Sequence, residues 1–310
     1  MIAIRRIDHV ALRVADVNEA APRWAIQFGL TERSRNDGCA LLSCDDEPYA
    51  LELTDGGRPG HDHTGFELRR LCSLRDARAH LDAHGVAYED LEGSLFLEDP
   101  DGNGVQLMPY REPEQQELRF TPQARPTTTL PGDHPRKLGH VNFLTGRLSE
   151  GLAFYTDVLG MRVSDYLGDA AVWLHVNADH HVMALVDKGE SHFHHLAFDL
   201  VDFGQMRVAL DHLGRHGRWL GWGPTRHGVA GNIASYVRIV EEECFVELYA
   251  DMEQLDIDHE PRVYPDDRFS SNTWGPLPPR SYFRFDRAAT ESERESLETL
   301  GIPLTDPVTT

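Results

Sequence analysis

The chain has 310 residues with 51 acidic and 30 basic side chains, a formal net charge of −21. Such a field repels nucleic acid and anionic membranes, which excludes both as main partners. The length is enough for about two domains with real cores, so neither disulfides nor a structural metal is needed to fold it. Cys39, Cys44, Cys72 and Cys244 form no C-x-x-C pair and read as reduced thiols of a cytoplasmic protein. The opening MIAIRRIDHVALRV has no apolar h-region of a signal peptide, and no apolar run is long enough for a membrane helix.

The elements repeat. IDHVALRV (7–14) and LGHVNFLT (138–145) each alternate apolar and polar positions after a His-Val, as a half-buried strand does. Each leads into a helical pattern, NEAAPRWAIQFGL and SEGLAFYTDVLGM, that stops at a glycine suited to a left-handed cap. His9 to His140 and Gly29 to Gly160 are both 131 residues apart (140 − 9; 160 − 29). HTGFELRRL (63–71) then matches HLAFDLVDF (195–203), each followed by a helix, LRDARAHLDAHG or FGQMRVALDHLG. On those helices His80, His84, His212 and His216 read as solvated. GNGVQLMPY (102–110) matches ECFVELYAD (243–251), which sets Gln106 against Glu247.

The fold class is therefore α+β: four βαβββ modules paired into two homologous domains, each a curved mixed sheet around a pocket. The expected divisions are residues 1–121, a Pro- and Thr-rich linker at 122–136, a second domain at 137–287 with a closing tail, and a C-terminal helix and tail at 288–310. Thr290 and Glu293 look like the capping box of that helix.

Three residues of the second domain stand at repeat-equivalent strand positions: His140, His195 and Glu247. An open iron(II) site commonly uses two histidines and one carboxylate on one face of the ion. Glu247 lies between Val246 and Leu248, where an unpartnered carboxylate is costly to bury, and a metal is a natural partner. For any one of them the ordinary reading is a hydrogen-bonded core histidine or a solvent-facing glutamate. The first domain carries His9, His63 and Gln106 at the same places. A neutral amide replaces the charged ligand there, so that half is expected to be a degenerate copy without metal.

With these residues in view, the chain resembles the type I extradiol ring-cleaving dioxygenases, catechol 2,3-dioxygenase-like members of the vicinal oxygen chelate (glyoxalase/bleomycin resistance) superfamily. The resemblance runs over roughly residues 1–285 and is strongest from Leu138 to Tyr249. In HFHHLAFDL the later histidine of the pair matches the family's metal ligand, hence His195. VNADHHVMAL resembles the acid–base segment, with His181 at the matching position. GWGPTRHGVAGNIASYVR supplies a histidine and a tyrosine nine residues apart (236 − 227), His227 and Tyr236. FSSNTWGPLPPR (269–280) resembles the closing tail.

The resemblance implies Fe(II), with Mn(II) as the alternative ion, and O2-dependent meta cleavage of a catechol to a muconic semialdehyde-type product in aromatic catabolism. It implies His181 as base, His227 and Tyr236 beside the bound oxygens, and a homo-oligomer. The chemistry fits: a near-neutral histidine takes a catechol proton, and a tyrosine hydroxyl hydrogen-bonds the catecholate. Trp173, Asn272, Trp274 and Arg280 are expected to meet the substrate. The rival readings are a glyoxalase-like isomerase of the same superfamily and a non-catalytic ligand-sequestering protein.

Overall fold

The structure, a computed structural model, describes residues 1–44, 48–91, 93–112 and 134–283, together with Glu295 and Thr299. Most of the expected linker (122–133) and the expected C-terminal helix, Glu295 and Thr299 apart, lie outside the described residues, as does the side chain of Arg280.

The first domain is two βαβββ modules. The first comprises β1 (Ile4–Val14), α1 (Val17–Phe28), β2 (Thr31–Asn36), β3 (Cys39–Ser43) and β4 (Leu51–Asp55). The second comprises β5 (Gly60–Leu68), α2 (Leu74–His84), β6 (Glu89–Leu91), β7 (Ser94–Glu98) and β8 (Gly104–Met108). They join edge to edge through antiparallel β1 and β5 in one sheet, ordered β2-β3-β4-β1-β5-β8-β7-β6.

The second domain repeats the plan. Its modules are β9 (Lys137–Thr145), α3 (Leu148–Ala153), β10 (Arg162–Leu167), β11 (Ala171–His175) and β12 (Met183–Asp187), then β13 (His192–Asp199), α4 (Phe203–Arg215), β14 (Leu220–Arg226), β15 (Ile233–Ile239) and β16 (Cys244–Ala250). The tail adds β17 (Arg262–Tyr264) at the edge, giving the order β14-β15-β16-β13-β9-β12-β11-β10-β17. The α+β class and paired mixed sheets are as the repeat implied.

Local chemistry sets the element ends. Asp16 caps α1 by accepting from the Asn18 amide, and Val17, Ala20, Ala21, Trp24 and Phe28 bury one face at helical spacing. Gly29, at φ 65°, stops it. The third module departs from a plain helix: α3 runs on as a π-helical turn, Phe154–Val158, before Gly160 at φ 73°. The domains pack through their helices, where Trp24 and Phe28 are buried and Phe28 meets Phe198 at 6.3 Å. Each such fully buried side chain contributes about 1.5–3 kcal/mol. His212, read from the sequence as solvated, instead bonds the Ile26 carbonyl across this seam at 2.7 Å. No helix among the described residues is long and apolar enough to cross a membrane.

Candidate metal centre and substrate pocket

The order β16-β13-β9 puts Glu247, His195 and His140 on adjacent strands. Parallel pairing sets Ala197 beside Glu247, and antiparallel pairing sets the same Ala197 beside His140. The three side chains therefore converge from strands distant in sequence. His140 Nε2 and His195 Nε2 lie 3.0 and 3.1 Å from the same oxygen, Glu247 Oε2. All three groups are buried. Gly139 makes room for the Tyr249 side chain, whose hydroxyl a Cβ there would meet at 1.8 Å.

Charge explains how a lone carboxylate survives in this core. Burial opposes ionisation of Glu247, but the charges and hydrogen bonds of His140 and His195 outweigh it and hold its pKa well below the usual carboxylate range. Burial pushes His195 below the ordinary histidine value against the pull of Glu247.

The neighbours set the tautomers. His194 Nε2 lies 2.8 Å from the Tyr282 carbonyl, and His194 Nδ1 lies 2.7 Å from His195 Nδ1. A neutral His194 donates to the carbonyl and so accepts from His195 Nδ1–H. Once its Nε2 proton is lost, as metal binding requires, His195 presents a lone pair there, facing the carboxylate at 3.1 Å. Two acceptors so placed repel unless a cation joins them. Donors bonded at about 2.1 Å and at right angles to one ion would stand about 3.0 Å apart, so these residues fit a divalent metal. Asn232 Nδ2 donates to Glu247 Oε1 at 2.9 Å, which occupies that oxygen and leaves Oε2 for the ion.

The triad lies in a cavity of about 230 Å³. His181 borders it, buried, with its ring centroid 4.3 Å from that of His140. Burial lowers the pKa of His181 well below the ordinary value, and His140 and His180 lower it further. Behind it, His180 meets His181 Nδ1 to Nδ1 at 3.0 Å and reaches Asp165 through Nε2 at 2.8 Å. Asp165 is held in turn by Arg262 from β17 at 2.7 Å. Burial raises the pKa of Asp165, but the hydrogen bonds of His180 and Arg262 outweigh that and bring it to about 2. The ionised Asp165 takes the proton of a neutral His180, so His180 accepts from His181, whose Nε2 keeps its lone pair.

On the opposite wall, His227 Nδ1 donates to the Ser271 carbonyl at 3.1 Å and its Nε2 lies 2.8 Å from the Tyr236 hydroxyl. Tyr236 is paired in register with Glu247. Burial, then the charge of Glu247, raises its pKa well above the phenol value, so it stays protonated and donates to His227.

Trp173 lines the cavity, with Leu167, Ala171 and Val186 beside it. The tail reaches the pocket through Ser270, Ser271, Pro278, Tyr282 and Phe283. Two expected substrate residues do not. Asn272 is buried and turned into its own loop, its amide on the Pro276 carbonyl. Trp274 is 45% exposed and meets Phe203 outside the pocket. Asn272 belongs to the tail's own packing and Trp274 to its contact with α4, a distinction that the motif could not carry. Asn232, His180, Asp165 and Tyr282 were not singled out as site residues by sequence reasoning. The doubled His180–His181 was the one visible signal for the relay.

The family described as the Glyoxalase/Bleomycin resistance protein/Dioxygenase superfamily matches residues 137–238, the segment that carries His140, His181, His195, His227 and Tyr236. Residues 137–238 thus carry a domain of that superfamily. The chain is 29% identical over 303 residues to metapyrocatechase 2 of Cupriavidus necator, across 91% of this chain and 92% of that one. It shares its fold with homoprotocatechuate 2,3-dioxygenase from Brevibacterium fuscum (TM-score 0.77, 22% identity, 91% and 92% covered). The Mn(II)-bound glyoxalase from Novosphingobium aromaticivorans has the same fold (TM-score 0.76, 23% identity, 91% and 94% covered).

Proposed function

We propose that this protein is an extradiol dioxygenase that uses Fe(II) and O2 to open a catechol ring beside a hydroxyl-bearing carbon, giving a muconic semialdehyde-type product. The observation that carries the reading is the pairing of a histidine–histidine–carboxylate triad with an independently held base, His181, at one cavity. The near full-length likeness to a metapyrocatechase supports the same activity.

His140, His195 and Glu247 would hold the metal. When bound, it would bring the catechol oxygens and O2 together and supply the electron transfer that O2 needs to react with the ring. The protein's own part is placement and protons. His181 Nε2 accepts a proton from a catechol hydroxyl, while its Nδ1–H stays on His180. The lone pairs of Tyr236 can accept a hydrogen bond from the second hydroxyl, since its own proton is given to His227. His227, its Nδ1–H held by Ser271, orients Tyr236 by accepting from its hydroxyl at 2.8 Å. The apolar wall of Leu167, Ala171, Trp173 and Val186 suits the ring itself, and closure by Tyr282 and Phe283 keeps water away.

Four cysteines outside any C-x-x-C pair and a centre that would work in the ferrous state suit the cytoplasm. Exposed Phe269, Trp274 and Leu277 suit burial between copies in a homo-oligomer.

The test is anaerobic loading with Fe(II), addition of a panel of catechols, and admission of O2. A yellow ring-opened product formed with uptake of one O2 per catechol supports the proposal. If no catechol in the panel is opened by the fully iron-loaded protein, the proposal fails; preferential activity with Mn(II) would move the ion assignment alone.

A further inference from the structure

The first domain contains a second cluster of metal-binding character. His9 on β1 and His63 on β5 face each other Nε2 to Nε2 at 3.1 Å, and Glu52 Oε2 on β4 lies 3.9 Å from His9 Nε2. Their donor atoms all lie within 4.8 Å of one another.

Both imidazoles are oriented from behind by a carboxylate. His9 Nδ1 is 2.9 Å from Asp8, and His63 Nδ1 is 2.8 Å from Asp62. Neutral histidines so held donate through Nδ1 and carry lone pairs at Nε2. Two lone pairs then confront each other at 3.1 Å with a carboxylate alongside, an arrangement that a cation relieves. A carboxylate behind each ligating histidine is also the usual support of a metal site.

A further donor is unpartnered. Gln106 is 9% exposed, and its Oε1 has no hydrogen-bond partner among the described residues. Its register on β8, beside Gly65 of β5, is that of Glu247 beside Ala197. The backbone is also cut to admit the His9 ring: a Cβ on Gly65 would meet His9 Cε1 at 2.3 Å.

Strand register shows how the halves are related. Glu52 stands beside Ala11 on the strand next to β1; its counterpart in the second domain, beside Asn142, is Ala184. The carboxylate has therefore moved across the site: the first domain has it on β4 and an amide on β8, and the second has it on β16. The sequence comparison saw only the change to Gln106 and missed the compensating Glu52.

A third cluster, Asp165, His180 and Glu253, serves as a control. There Arg262 fills the cationic role, at 2.7 Å from Asp165 and 2.6 Å from Glu253. The salt bridges of the described residues give Glu52 only His9, while Arg6 and Arg111 pair with Asp8.

We propose that His9, Glu52, His63 and the Gln106 amide oxygen form a second site for a divalent transition-metal ion, tying β1, β4, β5 and β8 together. The proposal does not depend on the catechol reading.

The test is titration of the metal-free full-length chain with Co(II) alone, followed by calorimetry and by the visible absorption of bound Co(II). Wild type should take up about two equivalents. Glu52→Gln and His63→Asn should each lose one equivalent and, loaded with iron, still open catechols. Glu247→Gln, which strips the other centre, should keep one equivalent, and Glu52→Gln with Glu247→Gln should keep none. Because Glu247→Gln leaves the first domain intact, its remaining equivalent tests the site even if a first-domain variant fails to fold. Saturation of wild type at one equivalent that Glu247→Gln abolishes would overturn the proposal, as would two undiminished equivalents in Glu52→Gln. A single equivalent lost only in Glu52→Gln would instead overturn the metal assignment in the second domain.

Discussion

The imidazoles of His181 and His180 meet Nδ1 to Nδ1 at 3.0 Å, so the tautomer of one fixes that of the other. With His180 Nε2 committed to Asp165, the lone pair of His181 is directed to Nε2. His181→Ala should therefore keep its metal and bind catechol, yet lose about 10²–10⁴-fold in kcat, the usual worth of general acid–base catalysis. The loss should be smaller for a nitrocatechol, whose hydroxyl is already acidic. Loss of metal in His181→Ala would make it a ligand instead.

The same pair predicts a tautomer effect at a distance. Asp165→Asn can present an amide N–H to His180 Nε2, which turns His180 into a donor at Nδ1 and moves the His181 proton to Nε2. Metal content and KM should hold while kcat falls about 10–10²-fold. An equal rise in KM with kcat unchanged would argue against the relay.

Activity should also persist into mild acid. Burial, then His140 and His180, hold His181 well below the ordinary histidine pKa, so the base remains unprotonated as the pH falls through 6.5. The acid limb of kcat/KM in wild type should lie below that value. A limb at or above pH 6.5 that disappears in His181→Ala would contradict the structure.

Asn232 should behave as a positioning residue for Glu247. Asn232→Ala frees Oε1, which Asn232 otherwise holds at 2.9 Å. Metal affinity should weaken by about 10–100-fold, while Asn232→Asp should do worse through charge repulsion. Competition with a chelator measures both. Unchanged affinity in Asn232→Ala would remove its role.

Stability should fall in acid for a reason that can be isolated. His61 stacks on Phe193 at 4.5 Å, and burial, then His63, lowers its pKa to about 3. Unfolded, it titrates at the ordinary histidine value of about 6.5. Between these values the unfolded chain binds a proton that the folded chain does not, so stability drops as pH falls, by up to about 1.4 kcal/mol per pH unit. Urea unfolding of metal-free protein between pH 7 and 5 should show a shallower slope in His61→Phe. Parallel slopes would mean that His61 is free to protonate in the fold.

Alternation and repeat spacing determined the strands, the four modules and the equivalent strand positions of His140, His195 and Glu247. Side-chain period reports which face a residue takes, and the repeat reports which positions are equivalent. Neither reports which strands lie side by side. Asn232 against Glu247, Asp165 against His180 and Arg262, and Glu52 against His9 all depend on strand pairing or on a tail that returns from far along the chain. Asn272 and Trp274 show the converse, since a motif placed them at a pocket that the tail's packing on itself and on α4 keeps them out of. Candidate ligands on repeated strands are legible because the local pattern carries them. The groups that orient those ligands are decided by tertiary contacts, because a hydrogen bond needs only proximity and leaves no period in the sequence.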